Sequence, residues 1–138
     1  MTIIVDSDGL IGSLNPSDSH HLLSQKILSK LIQKEAKLIY PATVIVESVT
    51  FLQGRLNNSG LAGEIIRLVD MNKLDIAPVD INLIQQANKF MDLSRSKHNT
   101  LFDAIVAAIA QKYNADAIFS FDNFYKKEGF KLVSEIVK

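Results

Sequence analysis

The chain has 138 residues, 47% of them apolar and 22% charged, with 15 basic against 15 acidic residues and a formal net charge of zero. That length suits one domain, residues 1–138, with a sizeable core, and the composition is that of a globular rather than a disordered chain. It argues against a membrane span, because no apolar run is long enough, against disulfides and thiolate metal sites, because there is no cysteine, and against a nucleic-acid binder that works by overall positive charge.

The opening MTIIVDSDG has no basic n-region and meets an acid at once, so it is not read as a signal peptide, and a reducing cytoplasm is the expected compartment. Thr2 to Val5 is β-branched without alternation, the pattern of a strand buried on both faces of a parallel sheet. Gly9 to Leu14 reads as a brief helix or turn. Pro16 to Asp18 should start a helix with apolar positions Leu22, Leu23, Ile27, Leu28, Leu31 and Ile32, and with Lys26, Lys30, Lys34 and Lys37 on a solvated face. Leu38 to Tyr40 is a second strand, closed by Pro41. Thr43 to Leu52 is ambiguous, since β propensity favours a strand while the preceding proline favours a helix start; the helix is preferred. Asn57 to Gly60 reads as loop, Leu61 to Met71 as helix and Leu74 to Val79 as strand. Asp80 can cap a helix over Ile81 to Leu93. Ser94 to Asn99 is a polar, basic loop.

The stretch Leu101 to Tyr125 organises the rest. Leu101 to Ala110 is apolar on nearly every face, hence a core helix, and its alanines let it lie close against a sheet. It carries one acid, Asp103. Ala117 to Phe119 is a fourth strand, Asn123 to Lys127 a helical turn and Lys131 to Ser134 a last strand. Strands alternating with helices argue a parallel α/β sheet of about five short strands.

In open α/β sheets, sites form beyond the carboxyl ends of the strands. Asp6 follows the first strand and Asp122 the fourth, and Asp103 begins a helix near that rim. Glu47 shares a helical stripe with Val44 and Phe51, a carboxylate on an apolar face. Each acid also has a bland employment. Asp6 or Asp8 can cap the next helix, Asp122 can cap the turn after it, Glu47 can stand exposed at a helix end, and Thr100 to Asp103 fits a capping box. Together, however, four converging acids make a hard oxygen site that suits Mg²⁺ or Mn²⁺. His20 and His21 are adjacent and do not share a helix face, so they are poor candidates for a metal pair. His98 reads as a surface residue or a substrate contact. There is no GxxxxGK[ST] phosphate loop, no GxGxxG and no Ser–His–Asp arrangement.

These residues resemble the PIN-domain ribonucleases, especially small VapC-like toxins. IIVDSDGLIG is similar to the family's opening strand and its first Asp. PATVIVESVTFL is similar to its Glu-bearing helix, and TLFDAIVAAIAQKYNADAIFSFDNFY to its central segment of Asp, alanine-rich helix, strand, hydroxyl residue and Asp. The resemblance runs in order from residue 2 to about residue 134. It implies a three-layer α/β/α fold and Mg²⁺- or Mn²⁺-dependent hydrolysis of RNA with a 5′-phosphate product. Carried over, Asp6, Glu47, Asp103 and Asp122 match the catalytic, metal-binding acids, and Ser120 the supporting hydroxyl. Asp8 departs from the small or hydroxyl residue more usual there, and either enlarges the metal shell or marks a misread motif. The resemblance further implies a small antitoxin partner and a homodimer. Arg95, Lys97, His98, Lys126 and Lys127 are the candidate RNA-backbone contacts.

Two rival readings stay open. Asp6-Ser7-Asp8-Gly9 also fits the DxDG opening of haloacid-dehalogenase-like phosphatases, with Asp6 as nucleophile and Asp8 as general acid, but no later Lys and paired-acid motif supports it. The other rival is a PIN-like RNA-binding module without turnover.

Overall fold

A computed structural model of the protein describes residues 1–93 and 98–137. Its centre is a parallel four-stranded sheet in the order β3-β2-β1-β4, with β1 at Thr2–Val5, β2 at Lys37–Pro41, β3 at Asp75–Ala77 and β4 at Ala117–Phe119. Ile3 faces Leu38 on one side and Ala117 on the other, and Val5 faces Phe119, so the ends of β1 and β4 coincide. Ile3, Ile4 and Val5 are buried in succession, as are Ala117, Ile118 and Phe119. Strands buried without alternation need cover on both faces. The cover is helical: α1 (Ser7–Leu14), α2 (His21–Gln33), α3 (Ala42–Thr50), α4 (Ser59–Asp70), α5 (Ile81–Ala87), α6 (Leu101–Lys112), α7 (Phe124–Lys127) and α8 (Val133–Ile136). Among the described residues no helix is long and apolar enough to cross a membrane.

The segment 43–52 is helical, as preferred. Pro41 ends β2 in extended backbone and α3 begins at the next residue, burying Val44, Ile45 and Ser48; one π-helical turn at Phe51–Arg55 then buries Leu52. In α6, every residue from Ala104 to Ala110 is buried, and the alanines allow the contacts with β1, β2 and α3.

Four expectations need correction. The last strand does not form: only Leu132 bridges to Ile118, and α8 begins at Val133. Glu135 reaches back to the Leu132 N–H at 2.7 Å, and that cap turns the segment into a helix. The sheet therefore has four strands rather than about five. The helix expected from Pro16 begins at His21, because Asn15 and Asp18 each hold a turn, accepting from the Ser17 and His20 N–H groups. Along α2 only Ser24, Ile27 and Leu31 are buried, while Leu22 is 85% and Ile32 65% exposed, so half the expected stripe faces outward. Finally, the helix expected to reach Leu93 leaves α geometry at Ala87 and closes with a 3₁₀ turn at Asn88–Phe90.

Candidate active site

The carboxyl ends of β1 and β4 lie side by side, and the Asp6 N–H donates to the Phe119 carbonyl at 3.1 Å. From β1 the chain turns directly into α1, which places Asp6 and Asp8 on its first turn beneath the end of β4. Asp6 is 4% exposed. Its Oδ1 accepts the Ser7 N–H at 2.7 Å, so the capping role is real. Its Oδ2 accepts from the Tyr125 hydroxyl at 2.7 Å and from Ser120 Oγ at 3.2 Å. Asp8 Oδ2 accepts the Phe121 N–H at 2.8 Å and lies 3.1 Å from Ser120 Oγ. Ser120, which is buried, also accepts the Asp122 N–H at 3.1 Å. One hydroxyl proton is thus shared between Asp6 and Asp8 while its lone pair holds the next acid in place.

The other acids come in from two helices and a turn. Asp103 takes the Thr100 N–H at 2.9 Å, the expected capping-box bond, and its Oδ1 is 3.5 Å from the Tyr125 hydroxyl. Asp122 accepts from the Asn99 amide at 3.0 Å and caps the turn after it through the Phe124 N–H at 2.9 Å. Glu47 stands half-buried on α3, beside the Ser7 hydroxyl and within electrostatic reach of Asp8 and Asp103. A cleft of about 340 Å³ opens here, lined by Ser7, Asp8, Ile11, Asp18, Glu47 and Phe51. A cleft of about 290 Å³ between α5 and α6 lies at the opposite end of α6, beside Gln111 and Lys112, and carries no cluster of acids.

Burial pushes the Asp6 carboxyl up to about 8; the charge of Asp8 adds to this, and the bonds from Tyr125 and Ser7 oppose it. Asp8, Glu47 and Asp103 are each raised as well, chiefly by burial. The mutual repulsion joins all five carboxylates into one electrostatic unit, since Asp122 acts on both Asp8 and Asp103. None of the hydrogen bonds described above brings a Lys or Arg to an acid. Two buried oxygens of the site, Asp8 Oδ1 and Glu47 Oε1, have no hydrogen-bond partner among the described residues. A carboxylate set that is partly buried, mutually repelling and partly unpaired fits a hard divalent cation. Among the described residues, no three His, Asp or Glu side chains form a group that closes on one ion as they stand. Asp8 is tied to the end of β4, Asp103 to Thr100 and Asp122 to Asn99, which holds the carboxylates apart.

All the expected acids and Ser120 lie at the same end of the sheet, with Asp8 beside them, without closing on a single point. The expected basic rim is weaker. Lys126 pairs with Glu135 at 3.4 Å, Lys127 and His98 are exposed, and Arg95 and Lys97 lie outside the described residues. His20 stacks on Phe121 with ring centroids 4.1 Å apart, and His21 Nδ1 lies 2.8 Å from the Gly12 carbonyl; the two rings thus serve separate packing roles. The sequence reading missed Tyr125 and Asn99.

A family model described as PIN domain matches residues 3–130. Among solved structures, the chain is similar to VapC20 of Mycobacterium tuberculosis, a sarcin-ricin loop cleaving toxin. The TM-score is 0.80 and the identity 19%, over 93% of this chain and 95% of that one. It is also similar to FitAcB from Neisseria gonorrhoeae, with a TM-score of 0.62 and 16% identity, over 94% of this chain and 95% of that one. A search of curated proteins finds no match.

Proposed function

We propose that this chain, which belongs to the PIN-domain family, is a metal-dependent ribonuclease and the toxin of a toxin–antitoxin pair. The observation that carries the reading is the gathering of Asp6, Asp8, Glu47, Asp103 and Asp122 at the carboxyl ends of β1 and β4, with two buried oxygens unpaired. A binding module gains nothing from five acids facing a phosphate backbone, whereas a metal hydrolase needs them.

Asp6, Glu47, Asp103 and Asp122 would hold Mg²⁺ or Mn²⁺, with Asp8 enlarging the shell through its free Oδ1. Mg²⁺ keeps several of its waters, which suits carboxylates that do not close on a single point. When bound, such a cation acidifies a water and neutralises charge developing on the phosphate. The chain's own groups do the rest. Ser120 fixes Asp6, Asp8 and the backbone of Asp122 in one arrangement, and Asn99 steers Asp122. Burial of the floor keeps bulk water from Asp6. His98, Lys126 and Lys127 are the described candidates for the RNA backbone, with Arg95 and Lys97 beside them in sequence. The Lys126–Glu135 pair is exposed and screened by solvent, so Lys126 can exchange Glu135 for a phosphate.

The structural likeness to a sarcin-ricin loop cleaving toxin makes that loop the first substrate to assay. A small antitoxin that masks the acids and a homodimeric toxin follow from the VapC-like resemblance. The phosphatase alternative gives Asp8 an essential proton-transfer role, whereas here Asp8 is a brace to the end of β4. Asp8→Ala should therefore cut RNA about 10- to 100-fold more slowly, the usual cost of losing a supporting ligand. It should leave no phosphomonoesterase activity to lose. Wild-type hydrolysis of a small phosphomonoester, abolished in Asp8→Ala and without RNA cleavage, would transfer the site to the phosphatase reading.

A further inference from the structure

Tyr125 is fully buried, yet among the described residues its hydroxyl oxygen is hydrogen-bonded only to carboxylates: Asp6 Oδ2 at 2.7 Å and Asp103 Oδ1 at 3.5 Å. The ring packs at the core edge of α7, tilted against Phe124 at 5.2 Å. A phenylalanine would fill that space equally well, so packing does not call for the oxygen. A buried phenol hydroxyl is costly unless it is bonded, and here its one proton goes to the acid that ends β1, while the same oxygen lies 3.5 Å from the acid in the first turn of α6. These two carboxylates repel each other. Without a donor between them, nothing described here links Asp103 to Asp6.

We propose that Tyr125 is a positioning residue that holds Asp6 and Asp103 together for a divalent cation. The inference rests on the metal-site reading above. The lone-pair count of Asp6 supports it. Ser7 takes one oxygen, while Tyr125 and Ser120 take the other, so of its roughly four acceptor sites about one remains, on Oδ1. Tyr125 thereby fixes both where the carboxylate points and how many of its lone pairs an ion can use. Groups that orient a ligand in this way are typically worth about 10- to 100-fold in metal affinity.

The test is Mn²⁺ binding by calorimetry and by the electron paramagnetic resonance of free Mn²⁺, with wild type, Tyr125→Phe and Asp6→Asn. Unfolding midpoints in EDTA show that each variant is folded. Tyr125→Phe should bind Mn²⁺ about tenfold or more weakly. Its RNA cleavage should need correspondingly more metal and should approach the wild-type rate at saturating Mn²⁺, a rescue that simple unfolding would not give. Equal Mn²⁺ affinity in wild type and Tyr125→Phe, with binding lost in Asp6→Asn, would overturn the role of Tyr125 and leave the metal site standing. Wild-type protein that binds no Mn²⁺ would overturn both.

Discussion

At the scale of single residues the site is built at a cost to stability. Asp6 is buried against Asp8 and its carboxyl is raised from the ordinary 3.8 to about 8. The folded chain therefore holds a proton that the unfolded chain gives up. That contribution is fully present below about pH 3.8 and is lost as pH rises through about 8. Asp8, Glu47 and Asp103 shift in the same direction. Metal-free protein should accordingly lose stability as pH climbs from 5 to 9, and Asp6→Asn should flatten that slope. At pH 8 the variant should be more stable than wild type, because its side chain carries no charge to bury. Denaturant melts in EDTA across that pH range measure both effects; an equal slope in the two proteins would refute the burial account of Asp6.

At the scale of elements, the site depends on how closely α1 approaches the end of β4. A Cβ added at Gly9 would stand 2.5 Å from the Phe119 carbonyl oxygen and 2.8 Å from its ring. Backbone cannot give way as a side-chain tip can, so Gly9→Ala should push α1 off β4 at a cost of about 1–3 kcal/mol. Because Asp6 and Asp8 flank that contact, cleavage should fall with stability, which thermal unfolding and an RNA assay on the same sample would show. Gly54→Ala, with nothing near its added Cβ, is the control. The elements carrying chemistry were the readable ones. TIIV before Asp6, the alanine-rich helix after Thr100 and AIF before Ser120 each declare buried structure through unbroken apolar runs, and an acid at the end of such a run is conspicuous. Less legible were the places where one side chain overrides local propensity. Glu135 capping Leu132 turned a β-prone segment into α8, and Asn15 and Asp18 delayed α2 to His21. The Tyr125 hydroxyl was illegible for another reason: a tyrosine in an apolar stretch reads as core, and only the fold brings its oxygen to Asp6 and Asp103.

At the scale of the whole molecule, a neutral chain concentrates five of its acids in one place, leaving the rest of the surface with an excess of positive charge over negative. Such a distribution draws a polyanion to the surface, while the site itself repels phosphate until a cation neutralises it. Binding of metal to the folded chain alone must also stabilise the fold. Mn²⁺ at about 100 times its Kd should add about 2.7 kcal/mol, and Asp6→Asn should lose most of that gain in a thermal-shift titration. The most direct test of the account is RNA cleavage itself. Purified protein would be incubated with total cellular RNA and with a sarcin-ricin loop oligonucleotide, in Mg²⁺, in Mn²⁺ and in EDTA, beside Asp6→Asn and Asp103→Asn. The account predicts discrete cuts with either metal, 5′-phosphate ends, no cleavage in EDTA and a loss of at least about 100-fold in both variants, comparable to removing an electrostatic catalytic group. Cleavage that persists in EDTA or in both variants would contradict it, as would folded protein that binds RNA and cuts none of it with either metal.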